Sequence, residues 1–556
     1  MIEQLIEKLK ADFNGDIAFD AASLEKYSRD ASLFKIKPEI IVFPKNVEDV
    51  KSIVKIVAEE KAAGKPYYLT ARSAGTDMTG GPLGTSVIVE FTKYFSHVKK
   101  VEGNEAVTEP GVYYRDFDKA TLAKGMIMPA YPASRDLCTV GGMAANNSGG
   151  EKTLLYGKVL DYVTKLKVVL RDGNEYTFAP ITFQELEQKK QQQDLEGEIY
   201  RETHELIEKN YEAIMRAKPH VSKNSAGYYL WEVLNKEKGI FDLTKVIVGS
   251  QGTLGLITEI TYRLVRPKTH SRLVVIFMKD MKHLGDLTNH LLEFKPESLE
   301  SYDDHTFKFA AKLFPMMLKK MKGNLITLAF KFIPELWAVV TGGVPKLVLM
   351  AEFTADTDEE AYAQALKAQA SLREFENVKS KVTKSAEEGK KYWTIRRESF
   401  SMLRNHVKTL RTAPFIDDFV VNPEYLPDFL PKLYAILDQY KITYTVAGHV
   451  GNGNFHIIPL MDLTKPEAKT IINELMEKVN SLVLEHKGSI TGEHNDGIVR
   501  TPYIEKMFGS EIYKLFEETK KIFDPNNMFN PGKKVGGSWD YALNHLDTHY
   551  LDKVSK

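Results

Sequence analysis

Residues 71–84 read ARSAGTDMTGGPLG, a stretch of small and polar residues set between two apolar runs. Such a run cannot fill a core, and its glycines let backbone approach a ligand closely. Working outward, Tyr67, Tyr68 and Leu69 read as a strand before it, and residues 86–91 (SVIVEF) as a strand after it. Upstream, residues 46–63 place Val47, Val50, Val54 and Val57 at helical spacing on one face. Residues 39–44 (EIIVFP) give one more strand. This strand–helix–strand–loop–strand order predicts an α/β unit at the front of the chain.

Two more small-residue loops follow, TVGGMAANNSGG at 139–150 and a third at Gly249–Gly255 within IVGSQGTLGLIT. A strand at 163–170 with a turn at Asp172-Gly173 lies between them. One such loop is an ordinary turn. Three, each beside a strand, favour a large phosphate-bearing cofactor cradled by backbone N–H groups. None is a G-x-G-x-x-G opening a helix, which disfavours a nicotinamide site, and there is no Walker A lysine.

Composition narrows the class. A chain of 556 residues is too long for one core, so about two or three domains are expected. Lys+Arg 75 balances Asp+Glu 75, so no overall basic footprint for nucleic acid exists. The one cysteine, Cys138, reads as a packed residue and cannot alone ligate an iron–sulfur cluster. The first residues, MIEQLIEKLKADFNGD, lack the apolar core of a secretory signal, and no uninterrupted apolar span reaches roughly 18 residues. A cytoplasmic location is the expectation.

Histidines carry the sharper chemistry. The segment 448–456 holds His449 and His456 around Gly-Asn-Gly, and 491–497 adds Glu493 and His494. Histidines seven apart face opposite ways on one straight strand, but a Gly-Asn-Gly turn makes a hairpin that lets them converge. Two imidazoles and a carboxylate suit a three-ligand metal site with an open position. The plainer reading is turn histidines making ordinary hydrogen bonds.

Together, PEIIVFPKNVEDVKSIV, ARSAGTDMTGGPLG, YPASRDLCTVGGMAANNSGG and VIVGSQGTLGLITEI resemble the FAD-binding domain of the vanillyl-alcohol oxidase/p-cresol methylhydroxylase superfamily. The two histidine motifs, with FDPNNMFNPGK at 523–533, resemble its glycolate oxidase/D-lactate dehydrogenase branch. The resemblance implies an α/β (α+β) fold: a two-subdomain FAD-binding domain over 1–268 (core about 36–268), an α+β substrate or cap domain over 269–535 with a variable segment at 305–350, and a C-terminal helical tail at 536–556. It implies non-covalent FAD, since no histidine lies in the first loop. FAD contacts are expected from Arg72, Ser73, Ala74, Gly75, Thr76 and Asp77 in that loop. Pro132, Ser134, Thr139, Gly141, Gly142, Asn146, Ser148 and Gly149 would follow from the second, and Gly252, Ile257 and Asn530 from further along. Two departures are visible: the first loop is poorer in glycine than is usual, and Gln251 stands where relatives often have glutamate.

The same resemblance implies a divalent metal, zinc or manganese, on His449, His456 and Glu493, with His494 as base. A 2-hydroxy acid can chelate a metal, which acidifies its hydroxyl; the Cα hydride then passes to flavin. Arg396 is the candidate for the substrate carboxylate, with Arg397 the alternative and a surface ion pair the plain reading. Phe400, Ile416, Asp417 and Asp418 suggest a pocket unwelcoming to a second carboxylate, hence D-lactate. A metal-independent flavin oxidase and a non-catalytic electron-transfer subunit are the competing readings. The electron acceptor is expected to be separate: a quinone, a cytochrome, an electron-transferring flavoprotein or an iron–sulfur subunit. Lysines among Phe, Leu and Met at 307–343 suggest either peripheral contact with the inner membrane face or a helical cap.

Overall fold

The computed structural model describes residues 2–304, 344–406 and 410–550, with backbone alone for 398–406. The basic stretch at 307–343 and the side chain of Phe400 lie outside the described residues.

The front of the chain forms three sheets among the described residues, the smallest a three-stranded one of Leu234–Asn235, Ile240–Phe241 and Ile181–Thr182. The first has four strands in the order Asp16–Ala18, Ile40–Phe43, Val87–Glu90, Leu69–Arg72, with parallel pairing among the last three. Helix Val47–Ala62 covers it, capped by Asn46 Oδ1, which accepts from the Asp49 N–H at 3.0 Å. It buries Val50, Ile53, Val54 and Val57, close to the face expected, although Val47 stays half-exposed. The strand before the first glycine loop starts at Leu69 and not at Tyr67. Leu69 is the first residue in register with Val87, and its N–H donates to Met528 O at 2.8 Å.

The second sheet is antiparallel, in the order Val98–Glu102, Glu105–Thr108, Leu256–Arg263, Val163–Val169, Glu175–Phe178. Its central strand, Leu256–Arg263, starts directly after the third glycine loop. The loop therefore ends on a rigid element.

The rear sheet has eight strands. Ser298–Asp303 sits between Leu347–Ala355 and Thr443–His449, and Asn454–Met461 pairs in turn with Thr443–His449. Phe419–Val420 pairs with Asn454–Met461 from the other side. The chain then returns to the front. Helix Ile504–Phe523 packs on helix Leu195–Lys209, and Lys520 Nζ donates to Thr253 O at 2.6 Å. Beyond the short helix Trp539–Asn544, buried Asp547 accepts from Arg29 Nε at 2.6 Å and pairs with Arg411, tying front to rear. The mixed α/β architecture matches the fold class read from the sequence. No helix among the described residues is long and apolar enough to cross a membrane.

Candidate active site

A cavity of about 990 Å³ opens between the glycine loops and the rear sheet. That is the upper range of small-molecule sites and suits a dinucleotide-sized group. Of the expected cofactor contacts, Arg72, Ser73, Gly75, Thr76, Asp77, Pro132, Ser134, Gly141, Gly142, Asn146, Ser148, Gly149, Gly252 and Ile257 line it. Ala74, Thr139 and Asn530 lie outside its lining. Thr139 Oγ1 donates to Ser73 Oγ at 2.7 Å and accepts from Gly142 N, bracing one loop on the next. Asn530 is fully buried; its Nδ2 donates to Gly81 O and Gln251 O at 2.9 and 2.7 Å, pinning two loops together.

The cradle fits an anionic cofactor. Arg72 is 8% exposed and donates to Tyr27 O and Arg29 O, while its buried Nε has no hydrogen-bond partner. An orphaned guanidinium donor in a cavity wall suits phosphate oxygens. Gly75 adopts φ +69, and a Cβ there would lie 2.5 Å from an Arg72 nitrogen. Arg29 and Asp30 also line the cavity, and the sequence reading missed them because they come from a helix end with no glycine signal. Cys138 lines it too, but burial pushes its thiol up to about 12, so it is a packed residue.

The histidines occupy the other part of the same cavity. The hairpin register pairs His449 with Asn454 and Ala447 with His456. His456 thus lies diagonal to His449 on one face of the sheet, which the odd spacing on a straight strand would forbid. The turn needs Gly453, at φ +65, because a Cβ there would lie 1.7 Å from Val421 O. The two imidazoles stand 5.2 Å apart, edge to face.

Glu493 and His494 are held by an unexpected anchor. The Asp418 carboxylate, buried and at φ 73, accepts N–H bonds from Gly492, Glu493 and His494 at 2.9, 2.9 and 2.7 Å, and one from Thr491 Oγ1 at 2.7 Å. Burial opposes its charge, but nearby His494, Arg500 and His456 together outweigh this and the carboxyl stays below its ordinary range. The loop places Glu493 Oε1 3.3 Å from His449 Nε2 and 3.5 Å from His456 Nε2. Glu493 Oε2 meets Lys223 Nζ at 3.1 Å, and Lys223 is fully buried.

The Nδ1 atoms of His449 and His456 are also engaged. His449 Nδ1 lies 2.6 Å from Glu300 Oε1, and His456 Nδ1 lies 2.9 Å from Asp417 Oδ1. His494 Nδ1 lies 3.0 Å from Asp417 Oδ2, and its ring stacks on His456. Burial disfavours the His456 cation, yet Asp417 and Glu493 raise its pKa to about 10. Burial likewise disfavours the Glu300 anion, and the His449 and Arg396 charges bring it down to about 2. Carboxylates at both Nδ1 atoms, with both Nε2 atoms turned toward one Glu493 oxygen, fit a cation held by His449, His456 and Glu493, which would take the place of any Nε2 proton. Asp418, His456, Glu493 and His494 also cluster, with ligand atoms within 4.8 Å of one another. Asp418 is spent on backbone N–H groups, so the first trio is the better donor set.

Arg396 and Arg397 both line the cavity. Arg396 Nε donates to Glu300 Oε2 at 3.0 Å. Arg397 makes a double contact with Glu151, at 3.1 and 2.5 Å, and lies over the Trp393 ring. The expectation that Asp417 and Asp418 form an acidic wall against substrate is corrected: both are scaffold for the histidines. Glu300 and Lys223 were not singled out as site residues by sequence. A charged residue in a strand whose six residues are all buried marks Glu300 only once the fold is known.

Cradle and histidine cluster in one cavity define a flavin-binding protein with a second domain placed over the flavin site. Residues 38–179 match the family described as FAD binding domain, and residues 267–534 match FAD linked oxidases, C-terminal domain. The chain belongs to this family of FAD-linked oxidases, within the vanillyl-alcohol oxidase/p-cresol methylhydroxylase superfamily.

Among curated proteins it is 28% identical to D-2-hydroxyglutarate dehydrogenase of Pseudomonas putida over 95% of this chain and 51% of that one. It is 25% identical to glycolate oxidase subunit GlcD of Bacillus subtilis, over 96% of both chains. D-lactate dehydrogenase of Archaeoglobus fulgidus is 26% identical over 89% of this chain and 91% of that one. The chain spans about half the length of the Pseudomonas relative and of three other bacterial D-2-hydroxyglutarate dehydrogenases. In fold it resembles p-cresol methylhydroxylase, with TM-score 0.66 and 14% identity over 97% of each chain.

Proposed function

We propose that this protein oxidises a D-2-hydroxy acid to the 2-oxo acid, using FAD as hydride acceptor. One observation carries the reading: His449 and His456 turn their Nε2 atoms on Glu493 Oε1 in the cavity that the glycine loops also line. Bound FAD supplies the two-electron chemistry. A divalent cation, zinc or manganese, held by His449, His456 and Glu493 would polarise the substrate hydroxyl.

The chain's own residues do the rest. His494 is the base for the hydroxyl proton; Asp417 at its Nδ1 orients the ring and favours the imidazolium that forms. Arg396, held by Glu300, meets the substrate carboxylate.

Within this class we place a small monocarboxylate such as D-lactate first. A second carboxylate needs a second cation, and Arg397 is already engaged by Glu151. Thr412, Thr445, Ala447 and Ile458, on the same sheet as the histidines, add lining without charge. Relatives named for D-lactate, glycolate and D-2-hydroxyglutarate chemistry support the broader class. Electrons would leave by a separate acceptor, as the name of a cytochrome-linked D-lactate dehydrogenase of Arabidopsis thaliana suggests.

The test is anaerobic mixing of purified flavoprotein with D-lactate, L-lactate, glycolate and D-2-hydroxyglutarate. Loss of visible flavin colour with D-lactate, faster than with the others, is expected. A flavin that stays oxidised with every D-acid contradicts the proposal.

A further inference from the structure

Glu300 touches two functional side chains at once. It lies on strand Ser298–Asp303, next to Thr443–His449, and is 1% exposed. Its two oxygens are divided between two partners. Oε1 lies 2.6 Å from His449 Nδ1, and Oε2 lies 3.0 Å from Arg396 Nε. One carboxylate therefore joins a cation-ligand histidine to the arginine that meets substrate.

We infer that Glu300 is a positioning residue that sets the His449 tautomer and the Arg396 orientation at once, and so fixes where a substrate carboxylate sits relative to the cation. The inference rests on the functional reading above. Its chemistry is a matter of counting acceptors. With Nδ1 bearing the proton, His449 donates to Glu300 and keeps the Nε2 lone pair facing Glu493. Arg396 donates through Nε. The two donors approach different oxygens, and only a carboxylate offers an acceptor at both of these positions on one side chain.

Glutamine cannot replace it. In Glu300→Gln one amide oxygen can serve one donor, and the NH₂ group faces the other. If the oxygen serves Arg396, the NH₂ donates to His449 Nδ1, moves its proton to Nε2 and removes a cation ligand. If the oxygen serves His449, the NH₂ opposes the Arg396 N–H and the guanidinium turns away. Either way, a chelating dicarboxylate in the substrate position loses an anchor.

The experiment uses the full flavoprotein, with oxalate as an unreactive probe and zinc as the metal. Oxalate binding is read from the visible flavin spectrum, and zinc affinity by competition with a chromogenic chelator. Glu300→Gln is expected to keep its FAD and to bind oxalate at least about tenfold more weakly. If the histidine branch is taken, zinc affinity falls by about 10- to 100-fold as well. Arg396→Gln is expected to weaken oxalate and leave zinc affinity within about threefold. Glu300→Asp, which keeps the charge on a shorter arm, guards against a misfolded amide variant and should fall between wild type and Glu300→Gln. Wild-type oxalate affinity in both Glu300 variants overturns the inference. Wild-type protein that binds neither zinc nor oxalate overturns the functional reading itself, a separate result.

Discussion

The flavin cradle and the histidine pocket share one cavity but are built by different physics. The cradle is largely backbone: loops that need glycine for close approach and positive φ, braced by neutral pairs such as Thr139–Ser73 and by Asn530. The pocket is side chains: Glu300, Asp417, Asp418, Glu493 and Lys223, all buried and each paired with a histidine, a backbone N–H or an opposite charge. A cradle of this kind fails through added atoms, and a pocket of this kind fails through removed charges.

The largest effect should come from removing the base. His494→Ala is expected to slow flavin reduction by about 10²- to 10⁴-fold, read by stopped flow, with FAD content unchanged. A rate within threefold of wild type would remove His494 from proton transfer.

Next is Lys223→Met. Breaking one side of a buried ion pair costs about 3–5 kcal/mol, because the partner charge stays buried. Urea unfolding of the metal-free variant should show a loss of that order, whereas a fall below about 1 kcal/mol would mean that Glu493 has other adequate support.

In the cradle the sign is reversed. Gly150→Ala puts a Cβ 2.1 Å from Tyr131 O, a backbone atom that cannot swing aside. We expect a cost of about 1–3 kcal/mol and reduced flavin content after purification. Full flavin occupancy and unchanged stability would show that the loop tolerates the shift.

The smallest effect lies outside both regions. Burial, with nearby Glu297 and Glu151, pushes Glu352 from its ordinary 4.5 up to about 7. The folded state thus holds a proton that the unfolded chain releases. The stability this confers is full below about pH 4.5 and is lost as pH rises through 7. Glu352→Gln should raise the melting temperature at pH 8 by a few degrees and change it little at pH 4.5, as scanning calorimetry at the two pH values can decide. An equal shift at both would assign the effect to packing.

The same contrast explains what could be read from the chain beforehand. Glycine loops and the Gly-Asn-Gly hairpin are local signals, so the cradle and the convergence of His449 with His456 were both legible. Glu300 reaches His449 across 149 positions, and Lys223 reaches Glu493 across 270, with no spacing rule to announce either. Asp417 and Asp418 were visible but misread, because an acid near a pocket looks the same in sequence whether it faces substrate or holds up a loop. Asn530, read as a cofactor contact, joins Gly81 and Gln251 of two cradle loops.

The central claim is a flavin and a cation cooperating in one cavity, and chelation tests it most directly. Metal content and the rate of anaerobic flavin reduction by D-lactate should be measured before chelator treatment, after it, and after zinc or manganese is restored. Bound metal near one per chain, a rate that collapses on chelation with FAD retained, and recovery on restoration are the expected results. Undiminished reduction by a fully metal-free flavoprotein would contradict the account.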